Sequence, residues 1–228
     1  MKKAGLIIIS LFVLTGCMTS KKMTALINEH TGQEYGFRGY ERQEPGGWLT
    51  VQFDDGGPME NICKQEKYSF LPLILYWSWN TTIKCSFSTE LRNKLFKNAL
   101  YEMADSLNLK NKIPGNKLII RVKEVPGTFT YTDKGHFIFF GIAYTISETN
   151  IIHTGVRTME IAYTVYDDDI KTLQWEGILA YNELPLRNKN KNAKKFTADY
   201  VLYYKKHLRE LAKDLVLKII RDTPWAVE

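Results

Sequence analysis

Thr158-Met159-Glu160-Ile161-Ala162-Tyr163-Thr164-Val165-Tyr166-Asp167-Asp168-Asp169-Ile170-Lys171-Thr172-Leu173-Gln174-Trp175 decides the fold class. Met159, Ile161, Tyr163 and Val165 alternate with Thr158, Glu160, Ala162 and Thr164, the period of two expected of a strand with one buried face. Asp167-Asp168-Asp169 makes a tight connection to a second run carrying Leu173, Trp175, Gly177, Leu179 and Tyr181. The two runs read as an antiparallel pair.

Upstream, Leu118, Ile120 and Val122 alternate with Ile119, Arg121 and Lys123 before Pro126-Gly127 turns the chain. Phe129 to Tyr131 together with Phe137 to Ile146 form another strand candidate, apolar on both faces. Tyr68 to Trp79 is almost continuously apolar, but Pro72 is unsuited to a central strand. The strand is therefore expected after it, from Leu73, Leu75 and Trp77 toward Ile83.

Two helices interrupt and close this meander. Ser88 or Thr89 caps the first, Glu90 complements its N-terminal dipole, and Leu91, Leu95, Ala99, Met103 and Leu107 recur every four residues. Tyr204, Leu208, Leu211, Leu215 and Ile219 mark the second, with Lys205, Lys206, Arg209, Lys213, Asp214 and Lys218 on its exposed side and Thr223-Pro224 as its stop. The expectation is an α+β domain over residues 68–222: a mostly antiparallel sheet of four to five strands, two helices packed on one face, order β-α-β-β-β-α. Residues 223–228 form a tail.

The N-terminal part reads differently. Lys2 and Lys3, the apolar run Leu6 to Leu14, and Leu14-Thr15-Gly16-Cys17 follow one another in the order of a cleavable export signal. The apolar stretch is shorter than the ~20 residues of a membrane-spanning helix. This segment resembles the lipobox signal peptide of bacterial lipoproteins. The resemblance implies cleavage after residue 16 and a mature chain that begins at Cys17, attached to the membrane by several fatty acyl chains such as palmitate. Met18 stands where an aspartate would imply retention at the inner membrane, so the resemblance implies an outer-membrane address in the cell envelope. Residues 17–67 read as lipidated N-terminus, polar tether and Gly-rich loops, with Trp48 to Phe53 as one short strand among them.

Cleavage would remove Lys2 and Lys3 and no acid, lowering the formal charge from +6 to +4. Cys63 and Cys85 would remain as an even pair in an exported chain, either bridged or as two buried thiols. A bridge would close a loop of about 23 residues, worth on the order of 3 kcal/mol.

No catalytic signature is legible. His30, His136, His153 and His207 have no metal-site spacing, and Ser69, Ser78 and Ser147 lie in no nucleophile elbow. The three consecutive aspartates lack the alternating ligands of a calcium loop. No metal, cofactor or enzymatic activity is expected. Arg187, Lys189, Lys191, Lys194 and Lys195 form a basic tract, either a contact patch for anionic headgroups or a solvated loop. Nucleic acid is excluded by the exported compartment.

The element order, joined to the lipobox, is similar to small periplasmic lipoproteins that serve as auxiliary subunits of envelope machines, such as lipid transporters and lipopolysaccharide assembly. That resemblance implies a non-enzymatic accessory that binds an envelope protein through an exposed apolar surface. Two alternatives stand beside it. One is an amphiphile binder with an apolar cavity lined by Phe139, Ile142 and Trp175; the other is an envelope hydrolase with convergent His, Asp and Ser.

Overall fold

The structure, a computed structural model, describes residues 18–31, 45–54, 56–113, 115–141, 143–154, 156–182, 184–188 and 192–223. Among the described residues, three α-helices and nine strands are arranged as an α+β fold with two mostly antiparallel sheets. The strands are β1 (Leu49–Phe53), β2 (Ile62–Pro72), β3 (Tyr76–Ser86), β4 (Lys117–Val122), β5 (Thr128–Phe139), β6 (Tyr144–His153), β7 (Val156–Asp167), β8 (Ile170–Asn182) and β9 (Leu186–Arg187). The helices are α1 (Ser20–Thr31), α2 (Thr89–Ser106) and α3 (Ala193–Asp222).

The core sheet has the order β1-β4-β7-β8. Its β7–β8 hairpin turns through Asp168 and Asp169 at φ 44 and 66, with Asp167 opposite Ile170. Two positive φ values in a two-residue loop give the turn whose twist matches that of the flanking strands, and aspartate tolerates this conformation. β1 pairs in parallel with β4, Leu49 opposite Leu118, so the short strand joins the main fold. Leu118, Ile120, Val122, Met159, Ile161, Tyr163 and Val165 fill the buried face, as their alternation requires.

The second, projecting sheet has the order β2-β3-β5-β6-β9. The apolar residues fall into two hairpins, and this differs from the expectation of one strand in each region. Pro72 ends edge strand β2, where its missing N–H costs no ladder bond, and β3 begins at Tyr76. The run from Phe137 to Ile146 is split by Gly141 at φ 82 into β5 and β6, with the Phe140 N–H donating to the Ala143 carbonyl at 2.7 Å. β2 itself carries Cys63-Lys64-Gln65-Glu66-Lys67, exposed but for a half-buried Cys63 and showing no apolar alternation, so it exists because β3 pairs with it. Cys63 and Cys85 stand directly opposite across β2 and β3 and are joined by a disulfide, with Cα atoms 4.1 Å apart.

The polar stretch read as tether also changes. Residues 20–31 form α1, which buries Met23, Ile27 and His30 on a stripe one residue wide. Three residues in twelve leave little periodic signal, and the helix is held by what it packs on. The folded unit therefore includes α1, β1 and the whole of β2, all N-terminal to or straddling residue 68.

The helices sit over the bases of both sheets. Ser88 caps α2 by accepting from the Leu91 N–H at 3.3 Å. α3 buries Tyr200, Tyr204, Leu208, Leu211, Leu215 and Ile219. Near its start Tyr200 packs on Phe129 of the projecting sheet at 4.4 Å between ring centroids. Near its end Asp222 accepts from the Tyr163 hydroxyl of the core sheet at 2.7 Å. One 30-residue helix thus ties the two sheets together.

Candidate functional site

The projecting sheet runs past the helices, and its far half has no layer on either side among the described residues. Successive strand residues point to opposite faces, so the register sorts the side chains. One face carries Tyr68 and Phe70 of β2, Trp77 and Trp79 of β3, Phe137 and Phe139 of β5, and Tyr144 and Ile146 of β6. Trp77 stacks on Phe137 at 4.7 Å, and Phe137 on Tyr144 at 5.6 Å. The opposite face is mixed: Ser69, Ser78, Asn80, Lys134, His136, Thr145, Ser147 and Thr149 share it with Leu71, Tyr76 and Ile138. The sheet end is mainly aromatic on one side, as far as Glu148, and mixed polar and apolar on the other.

Its tip is apolar. Ile74 is 93% exposed and Phe140 62%, between Leu73, Leu75 and Tyr144, all likewise exposed. An exposed apolar tip of this kind is more than folding of the core requires. Part of its backbone is paired within the chain. The Leu73 N–H donates to Tyr76 at 2.8 Å, and the Phe139 N–H to Leu75 at 2.9 Å, which links the two hairpins at their ends.

At the root of the aromatic face lies a cavity of about 430 Å³ lined by Met18, Lys22, Tyr131, Asp133, Glu148 and Lys194. The Tyr131 hydroxyl donates to Asn150 at 2.8 Å, and the Asn150 amide to Glu148 at 2.8 Å. Burial pushes the Asp133 carboxyl above its usual range; the Trp79 indole, donating at 2.9 Å, pulls it back, and the charge of Glu148 adds to the rise. Burial likewise raises the Tyr131 hydroxyl, with the charges of Asp133 and Glu148 behind it. These groups are acceptors and a neutral hydroxyl held in place by one another. Met18 brings the start of the described chain to this root, one residue from Cys17.

The sequence candidates distribute as follows. Cys17, Lys189, Lys191 and Ile142 lie outside the described residues. Arg187 is exposed on β9, Lys195 is exposed in the first turn of α3, and Lys194 forms an ion pair with Glu29 of α1. Arg187, Lys194 and Lys195 therefore lie on two elements, and one of the three is spent on an acid. His30 is buried on α1, His207 packs on Tyr181 and Tyr203, and His153 is exposed at the end of β6. His136 stands between Ser78 and Ser147 across three strands, beside Tyr76 and on an open strand surface. Phe139 and Trp175 lie on different sheets: Phe139 is exposed at the tip, and Trp175 stacks on Tyr163 at 5.5 Å under Lys218. Among the described residues no group of three or more His, Cys, Asp and Glu side chains is placed to hold a metal ion.

What the sequence reading missed is the combined surface. Tyr68 to Trp79 and Phe137 to Ile146 were each visible as apolar, and only the register of β3 with β5 makes them one face.

No protein-family model, no curated protein and no solved structure matches this chain. No helix among the described residues is long and apolar enough to cross a membrane.

Proposed function

We propose that this chain is a lipoprotein of the bacterial cell envelope, held at the outer membrane by a lipidated Cys17. It works by binding, as a non-enzymatic subunit of an envelope complex. The projecting sheet is its contact element. The observation that carries this reading is the water-exposed apolar end formed by Leu73, Ile74, Leu75, Phe139, Phe140 and Tyr144. A domain with a filled core has no folding reason to keep such a surface.

Support for the anchor comes from the order of Lys2, Lys3, the apolar run and Leu14 to Cys17. Several acyl chains on one residue hold a protein firmly, where one would not.

The test is photo-crosslinking in cells from positions 74 and 140, with exposed Glu176 on β8 as the control site. Discrete adducts are expected from the hairpin positions only, and they should disappear with Cys17→Ala. Equal or absent adducts at all three positions would refute the contact role of the projecting sheet.

A further inference from the structure

An anchor at Cys17 leaves this fold no tether. Only Met18 and Thr19 separate that residue from α1, and Met18 is already buried. One peptide unit, about 3.8 Å long, joins Met18 to Cys17. The surface around Met18 is therefore the surface that meets whatever bilayer holds the acyl chains.

That surface continues into the aromatic face. Met18 and Lys22 line the cavity at its root together with Tyr131, Asp133 and Glu148. Tyr131 and Asp133 keep the parity of Phe137 along β5, and Glu148 stands opposite Gly135, so all three share a face with Trp79 and Phe137. From Asp133 to Phe139 the face runs on for roughly 20 Å. Beyond Glu148 it carries no charge: Tyr68, Phe70 and Ile146 are exposed on it, with Trp77 and Phe137 half-buried between them. Tryptophan and tyrosine are the side chains that favour the boundary between lipid and water. The other face has the exposed Lys134 in the middle strand of the same stretch, which suits water. At the anchored end Lys21 and Lys22 are exposed, with no acid between Met18 and Leu26, so the root presents positive charge to anionic headgroups.

We propose that the aromatic face of the projecting sheet lies on the phospholipid surface of the same bilayer that takes the acyl chains of Cys17. This rests on the reading of Cys17 as the anchor and of the projecting sheet as the contact element; it assigns the face to lipid and leaves the tip to the protein partner. The acyl chains hold the root, and the row from Tyr68 and Phe70 through Trp77 and Phe137 to Ile146 settles at the interface beside them. The domain is thereby held in one orientation. With the face down, the tip points along the membrane, and Ile74 and Phe140 meet a partner lodged in that membrane.

The test uses the full mature chain taken from the membranes of expressing cells, with the mass of its first residue read for acylation, in vesicles of phosphatidylethanolamine and phosphatidylglycerol. Phe70→Cys and Ile146→Cys each place one nitroxide on the aromatic face, and Ser69→Cys and Ser147→Cys each place one on the other face, a single residue away. All four positions are exposed, and Cys63 and Cys85 are bridged. Collisions with a water-soluble nickel chelate and with oxygen, which concentrates in lipid, are read against the same labels in the Cys17→Ala chain free in solution. The expected result is loss of nickel collisions and gain of oxygen collisions at 70 and 146, with neither change at 69 and 147. An acylated chain whose labels at 70 and 146 stay as open to the chelate as those at 69 and 147 overturns the proposal, leaves the anchor standing and gives the face to a protein. Equal shielding of all four labels overturns it too, because the covering is then not confined to one face. A Cys17 without acyl chains removes the anchor, and this proposal with it.

Discussion

The indole Nε1–H of Trp79 donates to the Asp133 carboxylate at 2.9 Å, and this pair marks the level at which the projecting sheet leaves the core. Below it, Thr81, Ile83 and Cys85 are buried on β3; above it, Trp77 and the tip turn are in contact with water. A carboxylate at this boundary is partly desolvated, and the indole is the side chain that compensates it.

Asp133 gives the fold a defined pH dependence. Burial holds its folded pKa above the unfolded value of 3.8. Between those two values the folded chain binds more protons than the unfolded one, so stability falls as pH rises through that window. Asp133→Asn keeps an acceptor for Trp79 and removes the charge. The variant is expected to melt higher than the parent at neutral pH and to lose this part of the decline. Thermal unfolding from about pH 4 to about pH 8 reads it, and an unchanged profile would show that Asp133 is not the group responsible.

Gly135 makes room for that indole. A Cβ there would stand 2.4 Å from Cζ2 of Trp79 and 2.3 Å from the Ser147 carbonyl oxygen. Gly135→Ala is expected to displace Trp79, break its bond to Asp133 and cost about 1–3 kcal/mol by overpacking. Denaturant unfolding together with tryptophan emission measures both effects, and a native spectrum with unchanged stability would contradict the packing.

The bridge between Cys63 and Cys85 spans a sequence separation of 22 residues. The loop it closes predicts a loss of about 3 kcal/mol in the Cys63→Ala/Cys85→Ala double variant. The parent chain should weaken by a similar amount in reductant, and the double variant should be indifferent to reductant. A parent insensitive to reductant would show that the bridge contributes nothing to stability.

The tip should be dispensable for folding. Ile74→Asp with Phe140→Ser changes side chains that are 93% and 62% exposed. Unfolding free energy is expected within about 0.5 kcal/mol of the parent, while the crosslinked adducts from the hairpins are lost. A large loss of stability would mean that the tip is part of the folded core.

Some of this was legible in the chain. Met159 to Val165 and the three aspartates predicted the β7–β8 hairpin because one face of those strands is buried and the other wet. The four-residue recurrence in α3 predicted its buried face for the same reason. β2 and α1 were not legible, because neither buries enough of its own side chains to leave a period. Both are held by what they pair with: β3 of the same hairpin and the disulfide for β2, and, far away in the sequence, α3 for α1 through contacts such as Lys194 with Glu29.

By itself the sequence determined the α+β class, the inward faces of the alternating and helical segments, and the address-like segment that ends at Cys17. Those are local properties, written in spacing and in a short run of residues. Only the tertiary structure decided that the strands divide into two sheets and that one sheet outruns its helices. It also decided that Trp77, Phe137 and Tyr144 form one uncovered row. The physical reason is that alternation reports that one face of a strand is apolar, whereas what covers that face depends on strand pairing and on where the helices end.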